Sequence, residues 1–149
     1  MTTSTIAAFN STVHTTNHWL NEILDRLNWR DHQKAYHALR AVLHALRDRL
    51  PVNHAAALGA QLPLLIRGIY YDNWVPSRTP VKERKKADFL YHIREAFQDD
   101  PELDVENVTR SVLRVLAKHI SKGEVESIQV TLPHEIRELW SEPNHTLWF

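Results

Sequence analysis

Ten histidines in 149 residues are the densest source of chemistry in the chain, and two stand at a spacing that metal sites use. His14 and His18 are four apart, and Glu22 follows after four more. On a helix that spacing lines three side chains along one side, and a catalytic zinc takes three such ligands around an open position. Geometry argues against the site. At 1.5 Å per residue the outer two would sit ~12 Å apart along the axis, beyond the reach of one ion. All three also fall roughly opposite the apolar stripe Leu20, Ile23, Leu24 and Leu27, which turns them to water. The His-Glu-x-x-His pattern does not occur. His37 and His44, two turns apart, read as boundary side chains, so no metal and no cofactor is expected.

Nucleophilic chemistry has no better foothold. The chain has no cysteine, no Gly-x-Ser-x-Gly elbow and no phosphate-cradling glycine loop, and Gly59, Gly68 and Gly123 stand alone. The acidic run Glu95, Asp99, Asp100, Glu102, Asp104 and Glu106 reads as a solvated helix end and loop, with a working carboxylate pair left open. Recognition is better supplied. Arg67 and Arg137 each follow an isoleucine of core type by one position, and Arg40 and Arg110 border the apolar face of a helix. Four such guanidiniums are costly to bury unpaired. They either hold helix-terminal carbonyls or carboxylates, or meet an anion. With Tyr70, Tyr71, Trp74 and Trp140 beside them, Arg67 and Arg137 outline a groove for an anion or an acidic peptide, and these six residues are the expected binding set. Arg78, Lys82, Arg84, Lys85 and Lys86 lie before a helix and the acidic run lies after it, against the helix dipole at both ends. That order reads first as hydrated, flexible charge; the alternatives are pairing of the two blocks, within or between molecules, or contact of the basic block with a phosphate or an acidic partner.

The elements that position these residues repeat. Shifted by 70 residues, Trp19–Tyr70 falls on Phe89–Trp140 without a gap, with ten identities: Leu20/Leu90, Ile23/Ile93, Arg40/Arg110, Val42/Val112, Leu43/Leu113, Leu46/Leu116, Leu62/Leu132, Pro63/Pro133, Ile66/Ile136 and Arg67/Arg137. Chance pairing supplies about three. The apolar period inside a copy is 3.6. Val13, Leu20, Ile23, Leu24 and Leu27 share one helical face, and Ala35, Leu39, Val42, Leu43, Leu46 and Leu50 share another. Asp31 and Asp104 are expected as N-caps, and Ser121-x-x-Glu124 as a capping box. A third helix is expected from about Asn53 to Ala60, and Pro63 and Pro133 each open a fourth. The linker is residues 72–86.

Composition fits one all-α domain over 1–149, a helical bundle made of two pseudo-repeated multi-helix units, 19–70 and 89–140. Three glycines, none in an Asn-Gly or Asp-Gly pair, leave little for hairpin turns. Equal numbers of basic and acidic residues, 18 each, argue against a nucleic-acid binder. The longest apolar stretch, near Leu62–Ile66, falls far short of the ~20 residues that cross a bilayer, and the start is polar, so no membrane role and a cytoplasmic location are expected. Trp148 and Phe149 require a surface to cover them, on the body or on a neighbour.

The stretches Ala38-Leu39-Arg40-Ala41-Val42-Leu43, Leu46-Arg47-Asp48-Arg49-Leu50, Ala60-Gln61-Leu62-Pro63 and Tyr70-Tyr71-Asp72-Asn73-Trp74 resemble the bacterial domain-of-unknown-function family 2267. Asn73 stands where that family favours glycine, and asparagine also reaches left-handed turns. The resemblance implies a small helical protein of pseudo-repeated design and no activity. Together these readings point to a non-enzymatic binding or interaction module whose partner is a protein or a small anionic ligand, with self-association open. The alternative is a small helical enzyme that uses histidine and carboxylate groups, with or without a metal.

Overall fold

The computed structural model describes residues 4–141, and all regular structure among them is helical. The order is α1 (Ala7–Leu27), α2 (His32–Arg49), α3 (Val52–Gln61), α4 (Leu64–Tyr71), a 3-10 turn at Pro76–Arg78, α5 (Lys86–Arg94), α6 (Val105–His119), α7 (Lys122–Thr131) and α8 (His134–Arg137). A 3-10 turn extends α5 at Glu95–Phe97, and another extends α8 at Glu138–Trp140. Trp148 and Phe149 lie outside the described residues.

Local chemistry sets most boundaries. Asp31 caps α2, its carboxylate accepting from the backbone N–H of Gln33 at 2.9 Å and of Lys34 at 3.3 Å. Asp104 caps α6 by accepting from Asn107, and α1 ends where Asn28 turns left-handed. Asn73 is left-handed too, with φ of 68°, and turns the chain out of α4. The expected capping box at Ser121 is only half made. Its hydroxyl accepts from the Glu124 N–H, but its own N–H goes to Gln61 across the molecule, leaving the Glu124 carboxylate inward. One Glu124 oxygen is buried without a partner, and burial pushes that carboxyl above the usual range despite a nearby His54. The third helix is one residue longer at each end than its sequence signals suggest.

Helices α1, α2, α5 and α6 pack on one another around the core, α3 meets α7, α4 covers α1 and α2, and α8 covers α5 and α6. Trp19, Ile23, Leu39, Leu43, Leu46, Phe89, Ile93, Val112, Leu113 and Leu116 fill the centre, each fully buried or nearly so. Each such side chain stabilises the fold by about 1.5–3 kcal/mol relative to water. Val13 does not join them. The first two turns of α1 bury no side chain in the bundle, and Val13, read as part of the core stripe, is exposed beside α4.

Candidate functional site

The six residues expected to form a groove are mostly engaged within the fold. Arg67 donates to the carbonyls of Leu62 at 2.9 Å and Ala60 at 3.4 Å. Arg137 donates to those of Gln129 at 2.9 Å and Leu132 at 3.0 Å. Each guanidinium therefore ties the carbonyl end of the helix before it, where the dipole favours a cation. Tyr70 is fully buried and donates to the Ala55 carbonyl at 2.6 Å; burial pushes its phenol well above the usual tyrosine range. Tyr71 is half-buried, 5.0 Å from the Tyr70 ring and 5.4 Å from Trp74. Trp140 is buried, and the indole N–H groups of Trp74 and Trp140 have no partner. The structure thus gathers Tyr70, Tyr71 and Trp74 at the end of α4, and places Arg137 and Trp140 at α8.

Two openings lie on other faces of the molecule. A trough of about 530 Å³ runs between α1 and α4 over α2. Its walls are Phe9 and Val13 on one side and Leu64, Leu65, Gly68 and Ile69 on the other, and Tyr36 forms part of the floor. Among the described residues its charged side chains are Arg40 and Asp72, which face each other at 2.9 Å. The Thr12 hydroxyl accepts from the Leu65 N–H at 2.9 Å, which fixes the first turns of α1 against the start of α4. The lining is therefore preformed rather than left to a mobile end.

A second, polar cleft of about 330 Å³ lies between α2, α5 and the linker. The α2 residues His37, Arg40, His44 and Asp48 line one side and His92 the other, with Arg49 at the inner end. Arg49 is buried, bonds Glu83 at 2.7 Å and leaves its Nε without a partner. His92 meets the same Glu83 oxygen at 2.9 Å. Asp48 is held by Arg47, which also donates to the carbonyls of Tyr70 and Asp72. His44 sits 2.7 Å from the Ile69 carbonyl; burial, with Arg47 and Arg40 nearby, holds its imidazole below the usual histidine range.

A third cluster corrects the reading of the first histidines. Glu22 does not face water, because α6 lies across it. Its carboxylate accepts from His119 at 2.5 Å and from Lys118, with His18 at 3.6 Å. The His119 ring stacks on Trp19 at 4.7 Å. Burial raises the Glu22 carboxyl, yet these hydrogen bonds outweigh it and hold the group below its usual range. Among the described residues no three His, Asp or Glu side chains converge as a metal ion requires, and no helix is long and apolar enough to cross a membrane.

Sequence reasoning missed both openings. The trough had one local signal: no Asp, Glu, Lys or Arg precedes Glu22, yet Ile6, Phe9 and Val13 recur there at helical spacing. Arg47 and Arg49 carried none, since their burial depends on α4 and the linker. A family model described as an uncharacterized conserved protein (DUF2267) matches residues 16–139. No curated protein matches the chain.

Proposed function

The chain belongs to the DUF2267 family, whose description states no activity, and from that premise we propose that it is a non-enzymatic interaction module that pairs with a second copy of itself through the α1–α4 trough. The observation that carries this reading is one recess walled by exposed apolar side chains: Phe9 at 51%, Val13 at 48%, Leu64 at 56% and Leu65 at 40%. Contiguous exposed apolar surface around a recess marks a place where another surface binds. Gly68 supports the same face. A glycine inside a helix costs about 1 kcal/mol relative to alanine, and a Cβ there would meet nothing within 4 Å. No internal contact requires its bareness, which instead leaves room for another backbone to approach.

Charge and shape favour a second copy as occupant. The patch carries no net charge, so two copies meet without like-charge repulsion. Phe9 and Val13 stand at i and i+4 on α1, with exposed Ile6 at its N-cap, the spacing of a helix that beds into an apolar groove. Each molecule thus carries both ridge and trough, as a self-complementary twofold interface demands.

We also read the chain as two copies of one helical unit. The 70-residue offset carries α3 onto α7 and the start of α4 onto that of α8, and Arg67 and Arg137 hold matching carbonyls. The copies differ at the trough. Leu64, Leu65 and Gly68 correspond to His134, Glu135 and Glu138, and Lys86 and Arg110 engage the two glutamates. Apolar pairing is therefore confined to one face, and closed dimers form rather than open chains.

Light scattering over a rising concentration series tests the pairing. The expected result is a 17.4 kDa monomer giving way to a dimer, with Phe9→Glu and Leu64→Glu remaining monomeric while keeping the helical circular dichroism of the parent. A parent chain that stays monomeric into the millimolar range, or charged variants that still dimerise, overturns it.

A further inference from the structure

The polar cleft between α2 and α5 shares only Arg40 with the lining of the α1–α4 trough, and its own lining is one-sided in charge. Arg40, Arg49, His37, His44 and His92 face it, against the single carboxylate of Asp48, which Arg47 already engages at 2.9 Å. We propose that this cleft is a binding site for a small phosphate-bearing anion.

Three observations support the assignment. Arg40 and Arg49 each spend one nitrogen on a carboxylate outside the lining, Asp72 and Glu83. A guanidinium has five N–H donors in a planar fork, so both keep donors that match phosphate oxygens. Arg49 is 2% exposed, and its Nε has no hydrogen-bond partner, an unmet donor in a nearly dry setting. His44 lines the same cleft, and burial first, then Arg47 and Arg40 against the opposing Asp48, hold its imidazole below the usual range. The remaining lining is small and apolar, from Ala45 on α2 and Val81 of the linker. The volume of about 330 Å³ exceeds what a bare phosphate fills, which leaves room for an organic group on the ester oxygen.

The test uses the intact chain, inorganic phosphate and phenyl phosphate, with sodium chloride at matched ionic strength as the reference. Histidine ring resonances are followed by NMR, with calorimetry in parallel. The expected result is saturable movement of the His37, His44 and His92 rings, with His14 and His134 unmoved. Arg40→Gln, at a partly exposed position whose loss leaves the core intact, weakens binding about tenfold, as removal of a charged hydrogen bond does; Arg30→Gln leaves it unchanged. Tighter binding of phenyl phosphate identifies an organic monoester as the ligand class, and equal binding identifies free phosphate. The site is overturned if the three rings follow ionic strength alone, if all histidines shift together, or if Arg40→Gln binds like the parent. Light scattering on the same samples keeps this result separate from the pairing, since the monomeric Phe9→Glu chain still binds phosphate if the cleft is the site.

Discussion

Gly59 and Gly68 stand on neighbouring helices and meet opposite surroundings. A Cβ on Gly59 would fall 2.2 Å from the Tyr71 hydroxyl and 2.5 Å from its ring, whereas one on Gly68 meets open space. Gly59→Ala therefore forces the Tyr71 ring out of its packing with Tyr70 and Trp74, and the expected loss is about 1–3 kcal/mol. Gly68→Ala keeps every contact and gains about 0.5–1 kcal/mol from helix propensity, while its added methyl weakens dimerisation. Urea unfolding of the two variants reads both signs. A Gly68→Ala chain less stable than the parent contradicts the open surroundings argued for that position. The glycines are visible as isolated residues in the sequence, but only the position of Tyr71 separates a required glycine from a bare one.

Between elements, the contact of α1 with α6 is sensitive to acid. Glu22 on α1 accepts from His119 and Lys118 on α6, and its folded carboxyl lies below the unfolded value of 4.5. A carboxylate depressed by folding stabilises the native state above its unfolded pKa, and that stability is lost as pH falls through the folded one. The parent is thus expected to exceed Glu22→Gln in stability at about pH 7, with the gap narrowing once pH falls below the unfolded value of 4.5 and closing as it passes through the lower folded one. Chemical denaturation of both chains at several pH values measures the gap; a difference that persists undiminished in acid removes the ionised carboxylate as its cause. The helical stripe places Glu22 opposite the core of its own helix, which is correct in isolation. A second helix lying across that face reverses its exposure, and a wheel drawn from one segment contains no information about it.

For the whole molecule, the balance of 18 basic and 18 acidic side chains leaves no net repulsion to oppose association, and the proposed interface contains no unpaired charge. Its strength is therefore expected to hold or rise between about 0.05 and 1 M sodium chloride, over which a charge-driven contact is screened. Sedimentation or light scattering across that range checks it. A dimer that dissociates as salt rises would move the contact from the trough to the charged blocks around Lys82–Lys86 and Glu95–Glu106. Part of those blocks is internally spent, since Lys86 lies 3.5 Å from Glu106 and 3.4 Å from Glu138.

The sequence by itself determined what depends on neighbours a few residues away: helical periodicity, the Asp31 and Asp104 caps and a turn at Asn73, whereas for Arg67 and Arg137 it left helix-end carbonyls and an anion both open, and the fold supplies the carbonyls. The first three are local because capping, propensity and dipole interactions act within a turn or two. Tertiary structure decided which surfaces remain open. Phe9 and Leu64, far apart in the chain, become facing walls only when α4 folds against the first turns of α1. Arg40 and His92 share a cleft only when α5 docks on α2. The sums of buried area that choose those dockings run over the whole core, and no short window of residues records them.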